Sequence, residues 1–326
     1  MRALQIVELT GPESALRLVE VPEPEPSHML TPGAGVVVEV HAAGVSFPEV
    51  LQTRGEYQVK PPLPFVPGSE VAGIVRSSAE SSAFAPGDRV AAFCMLGGFA
   101  ELAVAPEFLT FALPDALDFA QGAGLILNYH TAYFALVTRG RLAAGETVLV
   151  HGAAGGVGTA SLQVAKGLGA RTIAVVSSDA KEEVARAAGA DEVVRVDGFK
   201  DAVKALGGAD LVLDPVGGDR FTDSLRALRE GGRLVVVGFT GGSIPEVKVN
   251  RLLLNNTEII GAGWGAYALA KPELNAEIGE ALDALIAQGA VRPVVGPRFA
   301  LDDAAGALAA IDGRTATGKV VLDVRP

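Results

Sequence analysis

A single cysteine, Cys94, stands in 326 residues, so the chain can build neither an internal disulfide framework nor a cysteine cluster for structural zinc. Basic residues are the minority. Against 38 Asp and Glu, 27 Lys and Arg leave a formal charge of −11, which works against non-specific binding to nucleic acid. No run of about 18 uninterrupted apolar residues offers a membrane span. The opening stretch MRALQIVELTGPESALRLVE alternates apolar and polar residues and carries acids early, unlike a secretory signal with a basic start and a continuous apolar centre. These absences lead to the expectation of a soluble, cytoplasmic protein with no nucleic-acid and no membrane partner.

Glycine, by contrast, is abundant, 40 residues without a collagen period, which asks for tight turns and close backbone approaches. The length accommodates roughly two domains of about 100–200 residues. In the first third, VVVEVHAAGV, SEVAGIVRS and DRVAAF read as short strands separated by the turn segments GPES, PEPEPS, TPGAG and APGD. The character changes near residue 119, where DFAQGAGLILNYHTAYFALVTRG has helical apolar spacing. Strand and helix then alternate through TVLV, the LQVAK helix, RTIAVVSS, AKEEVARAAGA, DLVLDPVGG, RLVVVGF and TEIIGAG. Residues 266–326 return to helices and a closing GKVVLDV strand. The expected architecture is α/β: a β-rich domain, 1–118 and 266–326, interrupted by an α/β coenzyme domain, 119–265.

The strongest local signal is TVLVHGAAGGVGTA, residues 147–160. Read as Ala153-x-Gly155-x-x-Gly158, it replaces the first glycine of the dinucleotide fingerprint by alanine. Ala153, Ala154, Gly155, Gly156, Val157 and Gly158 then supply a small-residue turn, exposed amides at a helix start for a pyrophosphate, and close helix–strand packing. The end of the second strand separates the two nicotinamide coenzymes. An NAD site places an acid there, whereas here Ser177, Ser178 and Lys181 offer hydroxyls and a cation to a ribose phosphate; an ordinary helix cap and solvated face is their competing role. Asp179 stands one residue away from spoiling that reading. Arg195, after the next strand, adds either phosphate attraction or ordinary surface charge. The balance favours NADPH.

GVSFPEVLQTRGEYQVKPPLPFVPGSEVAGIV at 44–75, PGDRV at 86–90, HGAAGGVG at 151–158, SSDAKEEVARAAGAD at 177–191, DPVGG at 214–218, GGRLVVVGFTGG at 231–242 and TGKVVL at 317–322 occur in this order over nearly the whole chain. With these motifs it resembles the zinc-independent quinone oxidoreductase branch of the medium-chain dehydrogenase/reductase superfamily. The resemblance implies a GroES-like catalytic domain around a Rossmann NADPH domain, an active cleft between them, and a homodimer. It also implies coenzyme contacts from Asn128, Thr131, the GFTG stretch with Gly238, Phe239 and Thr240, and Lys319 of the closing GK motif. Gly263 and Trp264 are implied near nicotinamide or substrate. Three positions depart from the family: Ser46 replaces its common Asn, Glu49 replaces Asp, and Val196 replaces a Tyr beside the adenosine phosphate.

Gly68-Ser69-Glu70 stands where zinc-dependent relatives have a GHE-type motif, so no metal is expected. Without a Lewis acid an isolated ketone is hard to reduce, while a quinone or conjugated enone spreads the developing oxygen charge. The expected substrate is a small electron-poor carbonyl compound or quinone. Tyr57 is the leading side chain for hydrogen bonding to the acceptor oxygen, with Ser46 as a second hydroxyl; loop packing and a turn are the competing roles. Arg54 and Glu49 are expected to pair and hold the loop, and Trp264 either borders a flat substrate or anchors a domain crossover. An enoyl or 2-alkenal double-bond reductase and a non-catalytic NADPH-binding redox sensor remain the alternatives. An edge strand of the coenzyme domain, VVVGF or EIIGAG, is the expected dimer seam.

Overall fold

The computed structural model describes residues 1–325 and divides into two compact units, residues 1–127 with the segment from 293 onward, and residues 128–292. In the first unit β1 (Arg2–Ile6) and β2 (Leu16–Glu20) form an antiparallel pair. β3 (Val36–Val45), β4 (Glu70–Ser77), β5 (Arg89–Phe93), β6 (Leu102–Ala105) and β7 (Thr110–Ala112) build the body of a seven-stranded sheet. β3 is its spine because its apolar, largely β-branched sequence packs on both faces. Val36, Val38 and Val40 enter the core. After a register shift between Val40 and Ala42 the core set becomes Ala43 and Val45. A one-residue shift reverses the side-chain parity of a strand, so Gly44 and the following Ser46 fall on the face away from that core. A short helix, Phe47–Gln52, starts at Ser46, with Pro48 and Glu49 in its first turn.

The second unit holds β8 (Thr147–Val150), β9 (Arg171–Val176), β10 (Glu192–Arg195), β11 (Ala209–Asp214), β12 (Leu228–Val236) and β13 (Glu258–Gly261). All pair in parallel, in the order β10-β9-β8-β11-β12-β13. This is the doubly wound dinucleotide-binding order, which creates its ligand crevice at the carboxyl ends of the strands where the order reverses, here between β8 and β11. β8 is buried at every residue, as a strand covered on both faces must be.

The chain then returns to the first unit with β14 (Val295–Ala300) and β15 (Lys319–Asp323), completing the sheet path β14-β15-β3-β4-β5-β7 with β6 paired to β3. The interruption of one unit by the other follows the sequence reading, with different division points. The helices Trp264–Ala270 and Pro272–Ala287 belong to the second unit, not to the returning segment. Packing explains it: a methyl on Gly167 would come within 2.9 Å of both Leu285 and Ala290, and Gln163 bonds the Arg292 backbone at both N (2.9 Å) and O (2.9 Å). The stretch of helical apolar spacing after residue 119 is helical but not uniformly α-helical. Helical turns at Phe119–Gly122 and Thr131–Tyr133 alternate with wider π-helical turns at Ile126–His130 and Phe134–Arg139.

Candidate functional site

In the second unit the glycine loop leads from β8 into the twelve-residue helix Gly156–Gly167, with extended Gly155 before its first turn. The left-handed residue of the turn is Gly152, at φ 58°, and not Ala153, which is why alanine is tolerated at the first fingerprint position. Gly158 is obligatory: a methyl there would meet the Gly152 carbonyl and lie 2.7 Å from Ala153 Cα. Asn128 closes the other side, its Nδ2 2.5 Å from where a Cβ on Gly156 would stand. Asn128 and Thr131 are buried, as are Ala153 and Ala154. The amides of the helix start and its dipole suit a pyrophosphate, so this loop fits a dinucleotide.

At the ends of β11 and β12 two turns are tied together. Asp214 accepts from the amides of Val216 (2.8 Å) and Gly217 (2.9 Å), while Thr240 donates to the Pro215 carbonyl through N (3.1 Å) and Oγ1 (3.0 Å). Gly238, Phe239 and Thr240 therefore lie at the carboxyl end of the sheet strands, with Phe239 exposed. No atom outside its immediate neighbours stands within 4 Å of a Cβ placed on Gly263. Trp264 is buried, its ring 5.4 Å from that of His130. Core anchoring is thus the role its packing shows, and the ring borders no open surface in this unit.

Ser178 sits before the first turn of the helix Asp179–Ala187 and accepts from the Lys181 amide at 3.4 Å; Ser177 precedes it, exposed. Arg195 is held by Asp179 and, at 2.8 Å, by Glu182. Its guanidinium is engaged by two carboxylates of the helix that would flank a ribose phosphate. Beneath the loop, His151 Nε2 lies 2.8 Å from Ser224 Oγ. Burial draws its imidazole down to about 4 against the raising effect of Asp214, and burial draws His130 to about 3.

The first unit holds a second assembly, on the sheet face opposite the core. Lys319, 3% exposed, forms an ion pair with Glu70, 0% exposed. Its Nζ also donates to Ser46 Oγ at 2.7 Å. The other Glu70 oxygen accepts from the Leu127 amide at 2.9 Å. Glu49, 1% exposed, accepts from Ser69 Oγ (2.5 Å), Ser69 N (3.1 Å) and Ser46 N (2.9 Å). Burial raises both carboxyls, opposed at Glu49 by the Ser69 hydroxyl and Lys319, and at Glu70 by Lys319. Tyr57 is half-buried; burial and then the charge of Glu49 raise its phenol, keeping it an O–H donor.

The expected Arg54–Glu49 pair does not form. Arg54 makes a bidentate bond to Asp312 at 3.0 and 2.6 Å, leaving Glu49 to the serines. Glu70 and Gly44 lie within motifs read from the sequence but were given no role there. A lone acid in the apolar run VPGSEVAGIV was the signal for Glu70; nothing in the sequence marked Gly44, which is required because the Ala123 carbonyl, Lys319 and Glu70 all crowd the space a side chain would take.

A metal does not fit these residues. Among the described residues no group of three or more His, Cys, Asp and Glu side chains could hold one. Glu49 and Glu70 are committed to hydroxyl, amide and ammonium donors, and Cys94 is a buried thiol, pushed far up by burial and directed at the Gly68 carbonyl.

Residues 32–115 match the alcohol dehydrogenase GroES-like domain family and residues 156–285 the family described as zinc-binding dehydrogenase. These define a GroES-like domain joined to a Rossmann-type dehydrogenase domain. A quinone oxidoreductase of Rattus norvegicus is 38% identical over 317 residues, covering 94% of this chain and 92% of the relative. The crystal structure of a probable oxidoreductase from Mycobacterium abscessus is 45% identical, covers 99% of each chain and superposes with a TM-score of 0.88. The quinone oxidoreductase of Thermus thermophilus, solved alone and with NADPH, is 36% identical with a TM-score of 0.84 and covers 99% of this chain and 100% of its own. The chain belongs to the zinc-independent quinone oxidoreductase branch of the medium-chain dehydrogenase/reductase superfamily.

Proposed function

We propose that the protein is an NADPH-dependent reductase of quinones and related conjugated carbonyl compounds that works without a metal. The carrying observation is the donor chemistry of the first unit: hydroxyls at Ser46 and Tyr57 and a buried ammonium at Lys319, with every nearby carboxylate already bonded. Such a set suits an acceptor whose reduced oxygen is a delocalised anion. NADPH, when bound, supplies the hydride. In the second unit the amides of Gly155, Gly156, Val157 and Gly158 are assigned to the pyrophosphate, Ala153 and Ala154 to the turn that brings the backbone close, and Asn128 and Thr131 to positioning beside the helix start. Ser177, Ser178, Lys181 and Arg195 are assigned to the ribose phosphate, and Gly238, Phe239, Thr240 and Gly263 to the nicotinamide half. Tyr57 and Ser46 hydrogen-bond the acceptor oxygen.

The test is NADPH oxidation by the purified chain against matched quinones and 2-alkenals with product identification. Quinol formation is expected. Preferential saturation of the carbon–carbon double bond would move the protein to the alkenal-reductase class, and tight NADPH binding without turnover would make it a redox sensor.

A homodimer through β13 accompanies this reading. β13 ends its sheet, paired only with β12, and an open strand edge is a ready pairing surface. In the preceding segment Ile244, Val249, Leu253 and Leu254 are each more than 70% exposed, at 76%, 73%, 78% and 74%, an apolar group that a second copy would cover. Among the described residues no helix is long and apolar enough to cross a membrane. A cytoplasmic location is the companion proposal, favoured by a single, buried thiol.

A further inference from the structure

Four side chains on one face of the first unit are chemically interdependent. In the strand pairing Gly44 lies opposite Glu70 on β4 and opposite Val321 on β15, and Val45 opposite Val320. Continuing that register places Lys319 beside Ser46, and the lysine stem runs back over Gly44 to Glu70. The ammonium so placed bonds Glu70 and Ser46 Oγ. Glu70 is held in turn by the Leu127 amide, and the Ser46 backbone amide is held by Glu49. Because Lys319 donates to Ser46 Oγ, that oxygen's own proton is left for another acceptor, and Ser46 is only part-buried.

We propose that the Lys319 ammonium is the positive element of the acceptor site and acts through Ser46, whose hydroxyl it makes a charge-assisted donor to the oxyanion formed on reduction. The assignment rests on the quinone-reductase reading above. In that reaction the hydride carries two electrons from the dihydronicotinamide to the quinone and the nicotinamide is oxidised. The hydride forms a new C–H bond at a ring carbon conjugated with the carbonyl, the carbonyl pair moves onto oxygen, and Ser46 O–H bonds to that oxygen; one proton from solvent neutralises it, and transfer of the added ring carbon's proton to the second oxygen through solvent restores the aromatic quinol. Nothing is consumed beyond NADPH, quinone and H⁺. A donor bonded behind to a cation is stronger than a free hydroxyl, and a dry setting magnifies the difference. Glu70 is a positioning residue: it keeps a buried cation paired. Lys319 is thereby assigned to the acceptor chemistry and not to coenzyme affinity.

A double-mutant cycle on the full chain tests this. Lys319→Met/Glu70→Gln removes both charges together, Ser46→Ala removes the hydroxyl, and the triple variant removes all three; Ser46→Thr keeps a hydroxyl. With a quinone at saturation, Ser46→Ala and Lys319→Met/Glu70→Gln should each lower kcat by roughly ten- to a hundredfold. The triple variant should lose no more than a further twofold, because both changes break one chain of bonds. Ser46→Thr should stay within a few fold of wild type, and NADPH affinity, read from dihydronicotinamide fluorescence, should be unchanged in all. Losses that multiply in the triple variant, or losses confined to NADPH affinity or KM, overturn the assignment. Should the double variant fail to fold, equal losses in Ser46→Ala and Ser46→Thr overturn it as well. A wild-type chain that binds NADPH but reduces no quinone removes the underlying function and this role with it, whereas normal wild-type turnover with an additive cycle removes the role of Lys319 alone.

Discussion

Lys319 reaches Glu70 across Gly44, close enough that a methyl group on the glycine would lie 2.6 Å from Lys319 Cε and 2.7 Å from Glu70 Cγ, and would also meet the Ala123 carbonyl. Gly44→Ala is therefore expected to separate the ion pair and overpack the face. Overpacking costs about 1–3 kcal/mol, and weakening a buried pair adds to it. Urea unfolding should show a loss of about 3 kcal/mol with the m-value unchanged; a loss below about 0.5 kcal/mol would mean that the lysine has another route.

Tyr57 keeps its phenolic proton at neutral pH, since burial and the Glu49 charge both raise it. Tyr57→Phe should lower kcat/KM for quinones about tenfold, the scale of one lost hydrogen bond to a developing charge. NADPH affinity should not move. Unaltered kinetics would return Tyr57 to loop packing.

Asp179 and Arg195 form an ion pair beside the position proposed for the ribose phosphate. Asp179 is 95% exposed in its side chain and pairs with the guanidinium that a phosphate would otherwise use. Asp179→Asn should raise the preference for NADPH over NADH several-fold. Arg195→Gln leaves Asp179 and Glu182 uncompensated and should weaken NADPH about tenfold with little effect on NADH. Equal shifts for the two coenzymes would place this pair away from the phosphate.

His151 makes the fold sensitive to acid. Its folded value is about 4 and its ordinary value 6.5. Between these the unfolded chain binds a proton that the folded chain refuses, so stability falls as pH drops from 6.5 to 4, by up to about 1.4 kcal/mol per pH unit. His130, at about 3, acts in the same direction. Glu49 and Glu70, raised by burial, act oppositely and cost stability as pH rises above 4.5. His151→Asn isolates the first contribution: its stability should decline less steeply than that of wild type over pH 6.5 to 4, and parallel curves would show that His151 takes up its proton in the folded state.

Leu253 and Leu254, beside the edge strand, should tolerate charge only if nothing covers them. Leu253→Glu/Leu254→Glu is expected to convert a dimer to a monomer in sedimentation velocity while preserving the melting temperature of the monomeric fold within a few degrees. A wild-type chain already monomeric at working concentrations would reject the dimer.

The glycine loop, the strand and helix alternation and the Ser178 turn were legible in the sequence because each depends on residues a few positions apart: an apolar run, small residues at a tight turn, a hydroxyl before a helix. Even there the reading missed that Gly152, and not position 153, carries the left-handed turn. Trp264 admitted two roles until its ring was seen packed beside His130, and Arg54 could not be given its partner, Asp312, which lies 258 residues away. The return to the first unit at residue 293 depended on how Leu285, Ala290 and Arg292 pack against one helix, which periodicity does not encode.

By itself, then, the order of residues determined the two kinds of domain, the coenzyme loop and the hydroxyl groups available for chemistry, since local propensity and spacing act within a turn or a strand. Which charges meet was decided only by the tertiary structure. Glu70 and Lys319 are 249 residues apart, and neither carries a mark of the other. Sheet pairing through β3 brings them to one face, and burial then obliges each to have a partner, because an isolated charge in the core costs more than the chain's marginal stability can bear.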